Sequence, residues 1–274
     1  MTERMPTALT IAGSDPSGGA GIQADLKTFA ALGIYGASVI TALTAQNTTG
    51  VFGVHGVPQE FIVAQFDAVI ADLDVRAIKT GMLGDAATVL TVVDCLKRVP
   101  NIAAIIDPVM VATSGDVLLA EDAIAVVRES LLPLATVLTP NLPEAAKLLG
   151  APVAANEHEA AAQGRALVAL GAKSVLIKGG HGEGDEAVDL LVSDSAVTRF
   201  ARQRIATKNT HGTGCTLSAA IAAGLADGRS LIEAVSAANE FVWRALASGA
   251  EHNVGRGRGP IDHGFAMRDQ ARKR

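Results

Sequence analysis

Residues 8–32, ALTIAGSDPSGGAGIQADLKTFAAL, read as a strand, a glycine-rich turn and a helix in succession. The apolar run 8–11 is short and suits a buried strand. The stretch 12–21 is punctuated by four glycines, and 21–32 is amphipathic. The same unit recurs along the chain. Strands are predicted at 37–43, 77–79, 103–107, 137–139 and 174–178, and helices at 59–72, 86–98, 121–130, 143–149 and 157–170. Alternation of this kind predicts an α/β fold, a parallel sheet with helices on both faces. The strands show little polar alternation, as strands buried on both sides do. The rhythm then changes. Residues 188–192 and 197–205, separated by Ser193-Asp194-Ser195-Ala196, predict an antiparallel hairpin at one edge. Helices at 213–226 and 231–248 follow, and the tail Gly255-Arg256-Gly257-Arg258-Gly259-Pro260 is too glycine-rich for regular structure. There is no internal repeat or Pro/Ser-rich linker, so one domain is expected over 1–274.

Composition narrows the function classes. Apolar residues make up 49% of the 274 and charged residues 19%, which supports a large core and excludes a disordered chain. Aromatics are only 3%, so Ala, Val, Leu and Ile must build that core. A net charge of −5 gives no footprint for nucleic acid. Two cysteines, Cys95 and Cys215, argue against a disulfide framework and for a reducing compartment. No signal-like stretch opens the sequence, and no window approaches ~18 uninterrupted apolar residues. A cytoplasmic enzyme with no membrane partner is expected.

Ligands of open parallel sheets sit beyond the carboxyl ends of the strands. Polar and glycine residues gather there: Gly13-Ser14-Asp15, Gln46-Asn47, Thr80-Gly81-Met82, Asp107-Pro108, Thr139-Pro140-Asn141 and Lys178-Gly179-Gly180-His181. The first loop mimics two nucleotide motifs. Gly13 and Gly18 have P-loop spacing, but Gly19 and Ala20 stand where the lysine and hydroxyl belong. Gly19-Ala20-Gly21-Ile22-Gln23-Ala24 mimics a dinucleotide fingerprint, but the second strand ends in Ala45-Gln46-Asn47 with no carboxylate. A flexible strand-to-helix turn is the alternative.

The loop Asn209-Thr210-His211-Gly212-Thr213-Gly214-Cys215 carries more chemistry. It opens an Ala/Leu-rich helix, so the amides of Gly212, Thr213, Gly214 and Cys215 can converge on one anion. Such a hole suits a transferring phosphoryl group and makes an ATP-dependent small-molecule kinase the expected activity. The alternative is an ordinary helix start capped by Thr213. Cys215, in the first turn, is expected to have a lowered thiol pKa and to act as a base or line the pocket. Cys95 is assigned to packing. Asp107 ends an apolar strand, where a carboxylate needs a cation, a donor or water. Asn141 and Glu144 can face the same cluster or merely cap a helix. Lys178 is placed to meet a phosphate. His181, Glu183, Asp185 and Glu186 read as an exposed turn, and Arg256 and Arg258 as a solvated tail or a phosphate contact.

Seven of these segments occur in the order found in the hydroxymethylpyrimidine/phosphomethylpyrimidine kinases of bacterial thiamine biosynthesis, which the chain resembles from about 8 to 263. The segments are 10–25, 41–47, 79–83, 107–111, 139–144, 178–181 and 209–215. The resemblance implies a ribokinase-like three-layer α/β/α sandwich. It also implies two ATP-dependent phosphorylations: of 4-amino-5-hydroxymethyl-2-methylpyrimidine, then of its monophosphate. It places Gln46 and Asp25 on the aminopyrimidine, with Gly13, Ala20, Met82 and Val109 around the ring. Asp107 and Glu144 would hold Mg2+ through water. Lys178, Asn141 and Thr210 would contact ATP, and Gly212 to Cys215 would form the anion hole, with Cys215 where many superfamily members place an aspartate base. Relatives often carry histidines where this tail has Arg256 and Arg258. A pyridoxal kinase, or a non-catalytic binding protein on the same fold, are the competing readings. The expected partners are the pyrimidine, ATP and further copies of the chain as a homo-oligomer.

Overall fold

The computed structural model describes residues 5–112, 115–180 and 184–272. Nine strands among them form one sheet: β1 (Thr7–Ser14), β2 (Tyr35–Asn47), β3 (Gly50–Gly56), β4 (Val75–Thr80), β5 (Ala103–Ile106), β6 (Val137–Leu138), β7 (Ser174–Ile177), β8 (Glu186–Ser193) and β9 (Val197–Gln203). Their spatial order is β3-β2-β1-β4-β5-β6-β7-β8-β9. From β2 through β7 all pairings are parallel, while β3 and the β8–β9 pair are antiparallel.

Helices cover both faces. On one lie α2 (Gln59–Asp72), α3 (Ala86–Lys97), α4 (Glu121–Val126), α5 (Leu142–Leu149) and α6 (Glu157–Ala169), sealing a core that includes Ile11, Phe66, Ile78, Val92, Ile106 and Leu167. On the other lie α1 (Gly21–Ala31), α7 (Thr213–Ala226), α8 (Leu231–Ala250) and α9 (Phe265–Arg272), packed over Phe29, Ile105, Leu176, Ile221 and Phe241. The central strands are buried on both faces, hence their continuous apolar character. No described helix is long and apolar enough to cross a membrane.

Two expectations are corrected. Antiparallel pairing occurs at both edges, not one: β2 runs on to Asn47 and folds back as β3, with Thr44 opposite Val54. The segment GVFGVHG gave no strand signal because it is glycine-rich and largely exposed, so no buried face imposes a period of two. The helix expected at 121–130 is α only to Val126. A wider π turn at Val127–Leu131 and a 3-10 turn with Pro133 complete it. The tail beyond 260 adds α9, whose Phe265 packs on Phe241 at 5.3 Å between ring centroids. His181 and Glu183 lie outside the described residues. Glu186 pairs with Arg199 at 2.8 Å, and the described residues contain no group of three or more metal-binding side chains.

Candidate functional site

The loop after β1 is ordered by one buried carboxylate, which disfavours the alternative of a flexible turn. Asp15 Oδ1 accepts from the Ser17 N–H (2.9 Å) and hydroxyl (2.7 Å), and its Oδ2 accepts from the Ala20 N–H (2.8 Å). Burial alone would raise the Asp15 pKa. The donors of His211, Ser17 and Ala20 instead hold it well below the usual carboxylate range. Gly21, at φ +56, turns the chain into α1 so tightly that a Cβ would strike the Gly13 carbonyl. Beside this loop, a Cβ on Gly13 would meet Met82 Sδ at 3.3 Å, and the Met82 carbonyl accepts from Thr41 Oγ1 at 2.8 Å. Gln46, half-buried beyond a bulge in β2, has its Oε1 on Thr44 Oγ1 at 3.2 Å, and that hydroxyl also donates to the Ser14 carbonyl at 2.9 Å. Gly13, Gln46 and Met82 thus line neighbouring strand ends, with Ala20 as the residue before α1 and Val109 half-buried just after β5.

Asp25 does not fit its expected role on the ring. It is fully buried in α1, and both its oxygens accept from Lys79 Nζ (2.9 and 2.8 Å), with Thr10 Oγ1 donating as well at 2.6 Å. It has no exposed surface and its three hydrogen bonds are to groups inside the protein, so it supports the site from beneath. Burial pulls the Lys79 pKa down, but Asp25 overrides this and holds the ammonium above its ordinary value. Lys79 was overlooked as a site residue. The available signal was its place in Ala77-Ile78-Lys79-Thr80, where an otherwise apolar strand must supply a buried carboxylate for it.

At the start of α7, Gly212 stands at φ +81 and caps the helix with no side chain. Thr213 is therefore not the cap. Its N–H and Oγ1 both turn back to the Thr210 carbonyl, at 3.2 and 2.7 Å, so its amide closes the turn rather than facing the hole. The N–H groups of Gly212, Gly214 and Cys215 donate to no backbone acceptor among the described residues, which leaves them available to an anion. The loop is anchored by Asn209, whose Nδ2 donates to the carbonyls of Gly249 and His252, both at 2.8 Å.

Lys178 meets this loop from β7. A Cβ on Gly214 would lie 3.3 Å from Lys178 Nζ and 4.0 Å from Asp107 Oδ2. Lys178 Nζ is 2.8 Å from Asp107 Oδ1 and 3.8 Å from Glu144 Oε2. Asp107 Oδ2 also accepts from Ser218 Oγ at 3.1 Å. Burial lowers the ammonium pKa of Lys178, yet the two carboxylates hold it above its usual value. Burial would likewise raise Asp107, but Lys178 and Lys79 keep it ionised. For Glu144 burial wins and pushes the carboxyl up to about 7 against the pull of Lys178. Asn141 and Glu144 form a reciprocal capping box on α5, each N–H donating to the other's side chain at 2.8 Å. The capping alternative therefore holds. It also aims Glu144 at Lys178 and leaves the Asn141 Nδ2 group without a hydrogen-bond acceptor among the described residues.

Cys215 departs from expectation. Its thiol is pushed up to about 11 by burial, against the pull of Lys79, so it is protonated at rest. The tail 255–260 lies across the site's edge: the N–H groups of Gly257 and Arg258 donate to Thr48 Oγ1 and O, at 3.1 and 3.0 Å. A phosphoryl-sized anion set against the Gly214 and Cys215 amides would meet Lys178 and lie beside two carboxylates, which is the equipment for phosphoryl transfer.

A model of the phosphomethylpyrimidine kinase family matches residues 15–262. The hydroxymethylpyrimidine/phosphomethylpyrimidine kinase of Rhizobium meliloti (strain 1021) is 56% identical over 256 residues, covering 93% of this chain and 96% of its own. A crystal structure of phosphomethylpyrimidine kinase from Clostridium difficile 630 is 43% identical with a TM-score of 0.78, over 88% of this chain and 99% of that one. A pyridoxal kinase of Bacillus subtilis, solved as an ADP complex, is 36% identical with a TM-score of 0.88, over 96% and 99%.

Proposed function

We propose, from the premise that this chain belongs to the phosphomethylpyrimidine kinase family, that it transfers phosphate from ATP to 4-amino-5-hydroxymethyl-2-methylpyrimidine and then to the monophosphate. This would place it in thiamine biosynthesis as a single kinase domain. The observation that carries the reading is the convergence of the Gly214 backbone, Lys178 Nζ and Asp107 on one point at the carboxyl ends of β5 and β7. A coupled ADP assay with both pyrimidines and pyridoxal tests it. Turnover with neither pyrimidine would sink the reading, and no turnover with any of the three would favour a binding protein. The pyridoxal kinase likeness supports a second reading, that pyridoxal is also accepted. A higher kcat/KM for pyridoxal would make that activity the main one.

ATP follows from the kinase family. Mg2+ is the finer step, and the residues fit it: Asp107 and Glu144 present hard oxygen donors on either side of one ammonium. Magnesium typically takes one or two carboxylates, waters and substrate phosphates. When bound it would neutralise phosphate charge. Lys178 then balances charge on the transferring group, while the Gly214 and Cys215 N–H groups donate hydrogen bonds to its oxygens. Gln46 offers an amide to the edge of the aminopyrimidine. Cys215, a thiol at rest, can take the hydroxyl proton only after it has lost its own proton to solvent; the Lys79 ammonium, which lowers the thiol pKa, stabilises that thiolate. The second nucleophile is already an ionised phosphate and needs no base. Cys215→Ala is thus expected to lower kcat of the first phosphorylation by about 10²-fold and leave the second within a few-fold. Equal losses in both steps, read by separate initial rates, would remove it as a base. Gln46→Ala is expected to raise pyrimidine KM by about 10–100-fold through loss of paired ring polar groups, with kcat nearly kept. An unchanged KM would take Gln46 out of the pocket.

The free thiols suit a reducing, cytoplasmic setting. Phe52 and Val54 on the edge strand β3 are 71% and 53% exposed, apolar side chains that a second copy would cover in a homo-oligomer. Sedimentation should then give a multiple of the 28.0 kDa protomer mass, and a Val54→Asp variant should give the protomer.

A further inference from the structure

The buried pair Asp15–His211 has no role in the reading above. His211 Nε2 lies 2.8 Å from Asp15 Oδ2, and the two residues are 7% and 2% exposed. A carboxylate held ionised only accepts, so the imidazole N–H donates. The pair joins two loops that sequence separates by 196 positions. One loop is the turn that Asp15 organises, ending at Ala20 ahead of α1. The other runs from His211 straight into Gly212 and the free amides of α7.

Two glycines record how closely these loops approach. A Cβ on Gly19 would collide with the His211 ring, and one on Gly212 would collide with the Gly19 carbonyl. Each loop is also secured without the pair. Asp15 keeps its bonds to Ser17 and Ala20. The His211 N–H donates to the Gly259 carbonyl at 3.0 Å, its own carbonyl accepts from Ile261 at 3.4 Å, and Asn209 holds the end of α8. The His211 side chain therefore adds a link between two otherwise self-sufficient loops.

We propose that His211 is a positioning residue for phosphoryl transfer: its bond to Asp15 sets the separation between the acceptor-side loop and the amides that hold the transferring group. This rests on the kinase reading, which assigns the first loop to the acceptor and the second to phosphate. Transfer needs the reacting atoms in near-attack register, and a displacement of about 1 Å can cost about 10²-fold in rate. Binding of each substrate alone uses one loop and is less sensitive.

The test is steady-state kinetics and thermal melting of His211→Ala and His211→Gln with ATP, the pyrimidine alcohol and its monophosphate. His211→Ala is expected to lose about 10²-fold in kcat in both steps, with both KM values within about threefold. His211→Gln, whose amide can donate to Asp15, is expected to recover at least tenfold of that loss. The proposal is overturned if folded His211→Ala keeps kcat within about threefold of wild type, if the loss appears in KM instead, or if folded His211→Gln is as slow as His211→Ala. Should His211→Ala fail to fold, His211→Asn takes its place, because it keeps a polar side chain but is too short for Asp15. If the wild-type chain phosphorylates pyridoxal and not the pyrimidine, the pyrimidine reading falls. The same variant ratios taken with pyridoxal then decide on His211.

Discussion

Lys178→Ala is expected to lower kcat of both phosphorylations by about 10³-fold while pyrimidine KM changes little. Lys178 is the only cation among the described residues that pairs with both Asp107 and Glu144, and it lies beside the backbone of Gly214. Without it the charge on a transferring phosphoryl group meets two carboxylates and no side-chain counter-charge. Cys215→Ala should affect one step; Lys178→Ala must affect both, because both transfer the same γ-phosphoryl group. Lys178→Arg is expected to restore only part of the rate, since a planar guanidinium does not replace a point charge wedged between two carboxylates. Separate initial-rate measurements of the two steps check this. A folded Lys178→Ala enzyme within tenfold of wild type would show that the amides alone carry the charge.

The second large effect is on stability. Asp25→Ala is expected to cost about 3–5 kcal/mol and lower Tm by roughly 10 °C, because it strands a fully buried ammonium. Lys79 has no exposed surface, and both Asp25 oxygens are its partners. The paired replacement Asp25→Leu with Lys79→Met removes both charges and should recover at least half of the loss. Denaturant unfolding of the single and double variants measures it. A single variant within about 1 kcal/mol of wild type would mean that water or another carboxylate reaches Lys79.

The parallel core was legible because its strands are short, apolar and separated by amphipathic helices; Gln59–Asp72 and Thr213–Ala226 fall where the pattern predicts. The β3 strand was not, since an exposed glycine-rich edge carries no burial pattern. Of the site, Asp107, Glu144, Lys178 and the loop 209–215 were visible as polar residues at strand ends. Their residue types suggested a shared cluster and a resemblance gave them roles; the structure brings Asp107 and Glu144 to Lys178, which lies beside Gly214. The roles of individual atoms were less accessible. Thr213 turns its amide inward, Asp25 spends its oxygens on Lys79, and the Cys215 thiol is raised rather than lowered.

The amino-acid sequence by itself determined the alternation of strand and helix, the chemistry placed at each strand end and the family. These depend on local periodicity and on residue type. Only the tertiary structure decided which amides are free, which carboxylate faces a substrate and which a lysine, and that Asp15 meets His211 across 196 positions. Hydrogen-bond partners and desolvation depend on what the folded chain brings within about 3 Å, and sequence spacing does not encode that distance.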